Sequence, residues 1–206
     1  MSKNKLKIAV TGNIGSGKST FSKFIEEEGF KVIYADELSK DILSEDTSVK
    51  EKVIKKFGKE SYQNGKLNKK FLTEKVFSNN QNLAHLESIL HPVVIKKSVD
   101  LMNSCLNKDD LVFLEAALIY EADMEDLFDY VILIAADREL RFKRKKQSDG
   151  YTEEQFAERE NLQIPQDEKR KRADFIFENN SDLKSFKQKA KLLFILLNQP
   201  GIYKRT

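Results

Sequence analysis

The chain has 206 residues and carries 36 lysines and arginines against 33 aspartates and glutamates, a formal net charge of +3. This length suits one domain, or one core with insertions, and the small charge gives no reason to expect binding to nucleic acid or to a membrane. The single cysteine and the two histidines, His85 and His91, exclude a disulfide framework and a zinc site built from these residue types. No apolar run reaches the ~20 residues of a membrane span, and the run after Met1 is too short for a secretory signal, so we expect a cytoplasmic protein.

The first predicted strand, residues 6–11, leads into a phosphate-binding loop with the pattern G-x-x-x-x-G-K-[ST], and a predicted helix follows from Thr20. Glycines let the backbone turn several N–H groups toward one anion, and the helix N-terminus adds partial positive charge. Lys18 would reach the β- and γ-phosphates, and the Ser19 hydroxyl would hold Mg²⁺. The sequence therefore predicts a nucleoside triphosphate site formed by Gly12, Asn13, Ile14, Gly15, Ser16, Gly17, Lys18, Ser19 and Thr20.

A second short strand, residues 30–35, follows Gly29 and ends before Asp36, and a helix is predicted over 37–43. From residue 49 to 95 the pattern changes to short helical segments broken by glycines and by the polar stretch 78–82. This change predicts an α-helical insertion outside the sheet. Its last and longest helix contains Pro92, which is expected to perturb it.

Three further apolar segments, residues 111–114, 130–135 and 175–177, alternate with helical stretches, and a final helix is predicted over 183–197. Such alternation is typical of a parallel sheet covered on both faces. We therefore predict an α/β fold of the P-loop NTPase or kinase type, with a parallel five-stranded sheet and helices on both faces. Its core would comprise residues 1–48, 96–136 and 173–206, with the helical insertion at 49–95 and a lid at 137–172.

Polar residues follow several of the predicted strands, at the edge of a parallel sheet where ligands bind. Asp36 is placed to accept a proton from a phosphoryl acceptor, and its position at a strand end favours this role over the alternative of a cap for the following helix. Glu115 is placed to support a magnesium shell, although a carboxylate also terminates a strand well. Asn179 would line a base-binding pocket or make a turn. His91, in the middle of the insertion's last helix, is either a ligand contact or a packed core histidine.

Basic residues are concentrated after the fourth strand of the predicted sheet. Arg138, Arg141 and Arg144 recur every three residues and would share a helix face, and residues 169–172 form a second basic run. Such runs are most often solvated faces. A basic segment before a glycine-containing loop also suits a lid that brings arginines to the transferring phosphoryl group. Nucleic-acid binding is a third alternative, which the small net charge disfavours.

Five segments, in this order along the chain, resemble the dephospho-CoA kinase family. Residues 11–19 resemble the family's T-G-G-I-G-S-G-K-S, residues 34–36 its D-A-D and residues 90–92 its L-H-P. Residues 114–121 resemble its D-x-P-L-L-F-E, and residues 173–179 its A-D-F-x-x-x-N. The resemblance implies a P-loop kinase core with a coenzyme-binding insertion and a lid, using ATP and Mg²⁺ to phosphorylate the ribose 3′-hydroxyl of dephospho-CoA.

The resemblance also assigns roles to individual residues. Asp36 falls on the family's catalytic aspartate, and Lys18 and Arg144 join it in catalysis. Asn179 joins the loop residues in binding ATP, and Ser19 holds the metal. Asp36, His91 and Glu115 are assigned to the binding of dephospho-CoA.

Three positions depart from the family pattern. Asn13 replaces a glycine, which is tolerated only where the backbone does not need a positive φ. Glu115 replaces an aspartate, so its carboxylate is one methylene longer. The second arginine of the lid is missing after Arg144, and Lys145, Lys146 and Arg159 are the candidate substitutes. Two alternative functions stay open, a kinase for another nucleoside or nucleotide and an ATP-dependent switch module that holds nucleic acid.

Overall fold

The computed structural model describes residues 5–77 and 79–197, and features predicted for residues 1–4, Ser78 and 198–206 lie outside this description. The chain separates into two compact units. The first, here called the sheet unit, comprises the described residues of Met1–Tyr34 and Leu101–Thr206, and the second, the helical unit, comprises those of Ala35–Asp100.

Within these ranges the strands, in chain order, are β1 (Leu6–Thr11), β2 (Lys31–Tyr34), β3 (Tyr62–Gln63), β4 (Lys66–Leu67), β5 (Leu111–Glu115), β6 (Tyr130–Ala135) and β7 (Phe175–Glu178). The α-helices are α1 (Lys18–Glu27), α2 (Ala35–Glu45), α3 (Thr47–Phe57), α4 (Lys69–Phe77), α5 (Asn80–Leu106), α6 (Arg138–Asp149), α7 (Glu153–Asn161), α8 (Gln166–Arg172) and α9 (Leu183–Leu197). None of the described helices is both long enough and apolar enough to cross a membrane.

Five strands of the sheet unit form one parallel sheet in the order β2-β5-β1-β6-β7. All residues of β5 are buried, which requires cover on both faces and explains why the strand is apolar throughout. The predicted five-stranded parallel α/β sheet is confirmed. Because all five strands run the same way, their carboxyl ends meet at one edge, and the loop between β1 and α1 lies at that edge.

Aromatic side chains from α1 and α9 build the core on one face of the sheet. The ring of Phe21 on α1 lies 5.7 Å from Phe186 and 6.0 Å from Phe194 on α9, measured between centroids. Residues Phe186, Leu193, Phe194 and Leu197, predicted to carry the packing of the final helix, are all at most 4% exposed. Burying each such side chain stabilises the fold by about 1.5–3 kcal/mol.

The helical unit has its own hydrophobic core. Ile42 of α2 packs in one cluster with Val49 and Val53 of α3 and with Leu90 and Val94 of α5. The predicted insertion at 49–95 lies inside this unit. The unit begins earlier, at Ala35, because α2 shares its core with the helices that follow.

Two details of the helical unit differ from the sequence prediction. Strands β3 and β4 form a short antiparallel hairpin, so the insertion is not wholly helical. Its turn is Asn64-Gly65, both with positive φ (51° and 76°), the residue pair that favours a two-residue hairpin turn. Helix α5 continues through Pro92 without interruption, since a proline removes one backbone donor but does not always end a helix.

Candidate functional site

The phosphate-binding loop is formed by residues 12–19, and its glycines have backbone conformations that other residues rarely adopt. Gly15 has φ of +76°, and a Cβ there would lie 2.5 Å from the backbone oxygen of Arg141. Gly17 has φ of +98°, and a Cβ there would overlap the side-chain amide of Asn179. The loop is therefore packed tightly against α6 and against the residue that follows β7.

Asn13 departs from the glycine of the family pattern without strain. Positive φ among the described non-glycine residues occurs at Asn64 and Asp123, and not at Asn13. The Asn13 side chain is buried, and its Nδ2 donates to the backbone oxygen of Ile164 at 3.2 Å. The substitution thus adds a contact between the loop and the segment that joins α7 to α8.

Lys18, Ser19 and Thr20 form the first turn of α1, two residues earlier than the predicted start of that helix. Nζ of Lys18 donates to the backbone oxygen of Gly12 at 2.9 Å, so the ammonium group lies against the first residue of the loop. The Ser19 hydroxyl donates to Oε1 of Glu115 at 3.3 Å. Glu115 is the last residue of β5 and is buried, so its carboxylate is held beside the proposed metal ligand.

The backbone oxygens of the loop are held by two arginines of α6 and by Asn179. Arg141 donates to the oxygen of Ile14 at 3.3 Å, and Arg144 approaches the oxygens of Gly15 and Ser16 at 3.5 and 3.4 Å. Nδ2 of Asn179 donates to the Ser16 oxygen at 2.8 Å. Two N–H groups of the loop are engaged within the protein: that of Ile14 donates to Oε1 of Gln163 at 2.8 Å, and that of Ser16 donates to the backbone oxygen of Asn13 at 3.1 Å.

The first of these arginines is not on a solvated face. Arg141 is buried and pairs with Glu160 of α7 at 2.5 Å, so the solvated alternative is wrong for this residue. Burial lowers the pKa of Arg144, but an arginine stays charged at any physiological pH. Lys145 is one candidate substitute for the missing lid arginine, and its Nζ pairs with Asp149 at 2.6 Å. Besides Arg144, the arginine of α6 that contacts the loop is Arg141.

A buried ion pair lies behind the segment between α7 and α8. Nζ of Lys169, which is fully buried, lies 2.8 Å from Oε1 of Glu121, and the same oxygen accepts from the backbone N–H of Ile164 at 2.8 Å. Burial lowers the pKa of Lys169, and the hydrogen bond to Glu121 opposes this shift. The second basic run, read from sequence as a solvated face or a lid, therefore begins with a structural lysine.

Gln163 is a contact of the loop that the sequence analysis did not identify. Its Oε1 accepts from the backbone N–H of Ile14 at 2.8 Å. One glutamine in a polar segment gives no periodic or motif signal, so this contact is visible only in the folded chain.

Two residues predicted for the site belong to the helical unit. Asp36 is exposed in the first turn of α2, which begins at Ala35, so it lies within the helix and does not precede it as its cap, the alternative role considered for this residue. His91 is partly exposed on α5, beside the buried Leu90. The participation of both residues in the site remains a prediction.

Several known proteins are similar to this chain in sequence and in fold. The family model for dephospho-CoA kinase matches residues 6–185. A dephospho-CoA kinase from Fusobacterium nucleatum is 36% identical over 183 residues, covering 88% of this chain and 93% of that protein. A dephospho-CoA kinase from Protochlamydia amoebophila is 34% identical over 191 residues, and the match covers 91% of this chain and 94% of that protein.

Solved structures agree with these matches. A Thermus thermophilus protein is 33% identical with a TM-score of 0.79, covering 96% of this chain and all of that one. The dephospho-CoA kinase from Campylobacter jejuni is 33% identical with a TM-score of 0.71, covering 92% and 95%. A shikimate kinase from Acinetobacter baumannii shares the fold alone, at 14% identity and a TM-score of 0.58. The resemblance found in the sequence motifs is confirmed, and the chain belongs to the dephospho-CoA kinase family.

Proposed function

We propose that this protein transfers the γ-phosphoryl group of ATP to the ribose 3′-hydroxyl of dephospho-CoA, giving CoA and ADP. Family membership supports the acceptor. The observation that carries the proposal is the strand–loop–helix at residues 6–27, with Lys18 over the loop and Ser19 beside Glu115. A triphosphate bound to the N–H groups of this loop would meet an ammonium group and a hydroxyl at the same edge of the sheet.

We assign Mg²⁺ to the Ser19 hydroxyl, with the Glu115 carboxylate behind it. This donor set fits, because Mg²⁺ in kinases is usually held by one or two protein oxygens, several waters and the substrate phosphates. When bound, the ion neutralises charge that develops on the phosphoryl oxygens. The hydrogen bond to Ser19 supports the role at the magnesium shell that the position of Glu115 predicts more than the direct binding of dephospho-CoA that the resemblance implies.

Asp36 is the proposed base. Strand β2 ends at Tyr34, in register with Glu115, and the chain reaches Asp36 two residues later. The 3′-oxygen attacks the γ-phosphorus, the bond to the bridging oxygen of ADP breaks, and the hydroxyl proton passes to the Asp36 carboxylate. We propose that Asn179 contributes to ATP binding by fixing the Ser16 carbonyl rather than by touching the base.

Arg144 is expected to act mainly on the transition state, because its charge lies against Gly15 and Ser16 of the phosphate-binding loop. Arg144→Ala should lower kcat by roughly 10- to 100-fold and change the Kd for ATP less than about 3-fold. Steady-state kinetics and an ATP titration measure the two quantities. Lys143→Ala, an exposed neighbour on α6, is the matched control. A loss of ATP affinity with unchanged kcat would contradict this role.

His91 is the proposed contact to dephospho-CoA in the helical unit. His91→Ala should raise the KM for dephospho-CoA by roughly 10-fold or more, the loss expected for a hydrogen bond to a charged group, and leave the KM for ATP unchanged. The chain offers a control in its other histidine, His85, which is exposed and lies 3.1 Å from Nζ of Lys56. Equal effects of the two substitutions would remove the assignment.

The proposed function is tested by ADP release with and without dephospho-CoA, and by locating the new phosphate with ³¹P NMR. Release that depends on dephospho-CoA, with phosphate on the 3′-oxygen, is the expected result. Phosphate appearing on a nucleoside monophosphate and never on dephospho-CoA would favour the alternative kinase. Steeply salt-dependent affinity for DNA or RNA without turnover would favour the switch module.

A further inference from the structure

The two ends of the phosphate-binding loop are distinguished by the position of Lys18. The lysine of such a loop reaches the β- and γ-phosphates of the bound nucleotide. Here its Nζ lies 2.9 Å from the backbone oxygen of Gly12, the first residue of the loop. The β- and γ-phosphates that Lys18 contacts are therefore expected at the Gly12–Ile14 end of the loop.

Gln163 meets the loop at this same end. Its Oε1 accepts from the N–H of Ile14 at 2.8 Å, which fixes one side of the planar carboxamide. The other side is the Nε2 group, which carries two N–H donors. Within residues 5–77 and 79–197, no hydrogen bond from Nε2 is formed, and the side chain is partly exposed. Two donors are thus available at the end of the loop where the Lys18 ammonium group lies.

The segment that carries Gln163 is held by contacts that do not depend on a ligand. The next residue, Ile164, donates its N–H to Glu121 at 2.8 Å, and Glu121 is paired with the fully buried Lys169. The backbone oxygen of Ile164 accepts from Asn13 at 3.2 Å. A donor supported in this way loses little conformational entropy when it binds an anion, which is the property of a preorganised site.

We propose that Gln163 binds the γ-phosphoryl group of ATP through its side-chain N–H donors, and that it makes the loop discriminate between ATP and ADP. The proposal rests on the proposed function for the identity of the nucleotide. It assigns to the segment between α7 and α8 a direct part in nucleotide recognition, in addition to the arginines of α6.

The test is equilibrium binding of the β,γ-imido analogue of ATP and of ADP, each with Mg²⁺, to the wild type and to two variants. Gln163→Ala removes the donors and should weaken the ATP analogue roughly 10-fold or more while weakening ADP less than about 3-fold. Gln163→Glu keeps an acceptor for the Ile14 N–H but places a negative charge where the donors were. It should therefore weaken the ATP analogue further than Gln163→Ala does.

Gln166→Ala is the matched control, because Oε1 of Gln166 also accepts a backbone N–H, that of Ala136 at 3.1 Å. It should lower the melting temperature about as much as Gln163→Ala does and leave the ratio of the two affinities unchanged. If Gln163→Ala does not fold, Gln163→Glu and the shortened amide Gln163→Asn carry the same comparison.

Equal weakening of both nucleotides by the Gln163 variants, or no weakening of either, would overturn the proposal. Binding is measured without dephospho-CoA, so a failure of the proposed acceptor would appear in the turnover assay and not in this comparison.

Discussion

Replacing Asp36 with asparagine is expected to lower kcat for phosphorylation of dephospho-CoA by about 100-fold or more, with little change in melting temperature. Transfer to a ribose hydroxyl needs the nucleophilic oxygen in line with the γ-phosphorus and a nearby group to take its proton. Asparagine keeps the size and polarity of aspartate but cannot accept that proton. The measurements are single-turnover kinetics at saturating substrates and thermal unfolding of the same preparation.

The neighbouring Glu37 provides the control, because both carboxylates are exposed in the first turn of α2. Each interacts with the helix dipole, a contribution of about 0.3–1 kcal/mol at an exposed position. Glu37→Gln should therefore cost as much stability as Asp36→Asn and leave kcat intact. Near-normal kcat in the Asp36→Asn enzyme would remove the aspartate from the mechanism and leave it a helix-dipole role.

Lys18→Ala should reduce kcat/KM by roughly 1000-fold or more while the circular dichroism spectrum stays that of the wild type. The ammonium group lies over the loop, 2.9 Å from the Gly12 oxygen, and alanine leaves no cation to neutralise the β- and γ-phosphates. Alanine favours a helix at least as well as lysine does, so the substitution does not weaken α1.

A second lysine of the same helix provides the control, because it carries the same charge but lies outside the loop. Lys23 is exposed on α1, and Lys23→Ala should leave both activity and stability close to those of the wild type. Wild-type turnover in the Lys18→Ala enzyme, with normal secondary structure, would mean that the glycine loop does not bind the transferred phosphate.

The sequence predicts the structure correctly where one local signal determines it. The glycines and Lys18 identify the loop because their spacing and the flanking strand and helix are all required by phosphate binding. The strands β1, β5 and β6 were found because burial on both faces leaves a continuous apolar run. The pair Asn64-Gly65 is also typical of a hairpin turn, but the short helical patterns around it favour an all-helical insertion.

The rest of the site depends on contacts between segments distant in sequence. Gln163 and Ile14 are 149 residues apart, and neither residue type marks a site by itself. Lys169 stands in a run of four basic residues, a pattern typical of solvent exposure, and only the approach of Glu121 explains its burial. Arg141 and Arg144 share a predicted helix face, but no pattern in the sequence indicates that this face contacts the backbone oxygens of the loop.

The sheet order also has a consequence for the nascent chain. Strand β1 is synthesised first, yet its two neighbours in the sheet are β5 and β6, which begin at Leu111 and Tyr130. At about 5–20 residues per second, the ribosome needs roughly 5–20 s to pass from β1 to β5. Throughout that interval the residues of the phosphate-binding loop have no sheet to pack against, whereas all of Ala35–Asp100 is made before the interval ends. A nucleotide site therefore arises only after β5 and β6 have been made, although its signature motif directly follows β1.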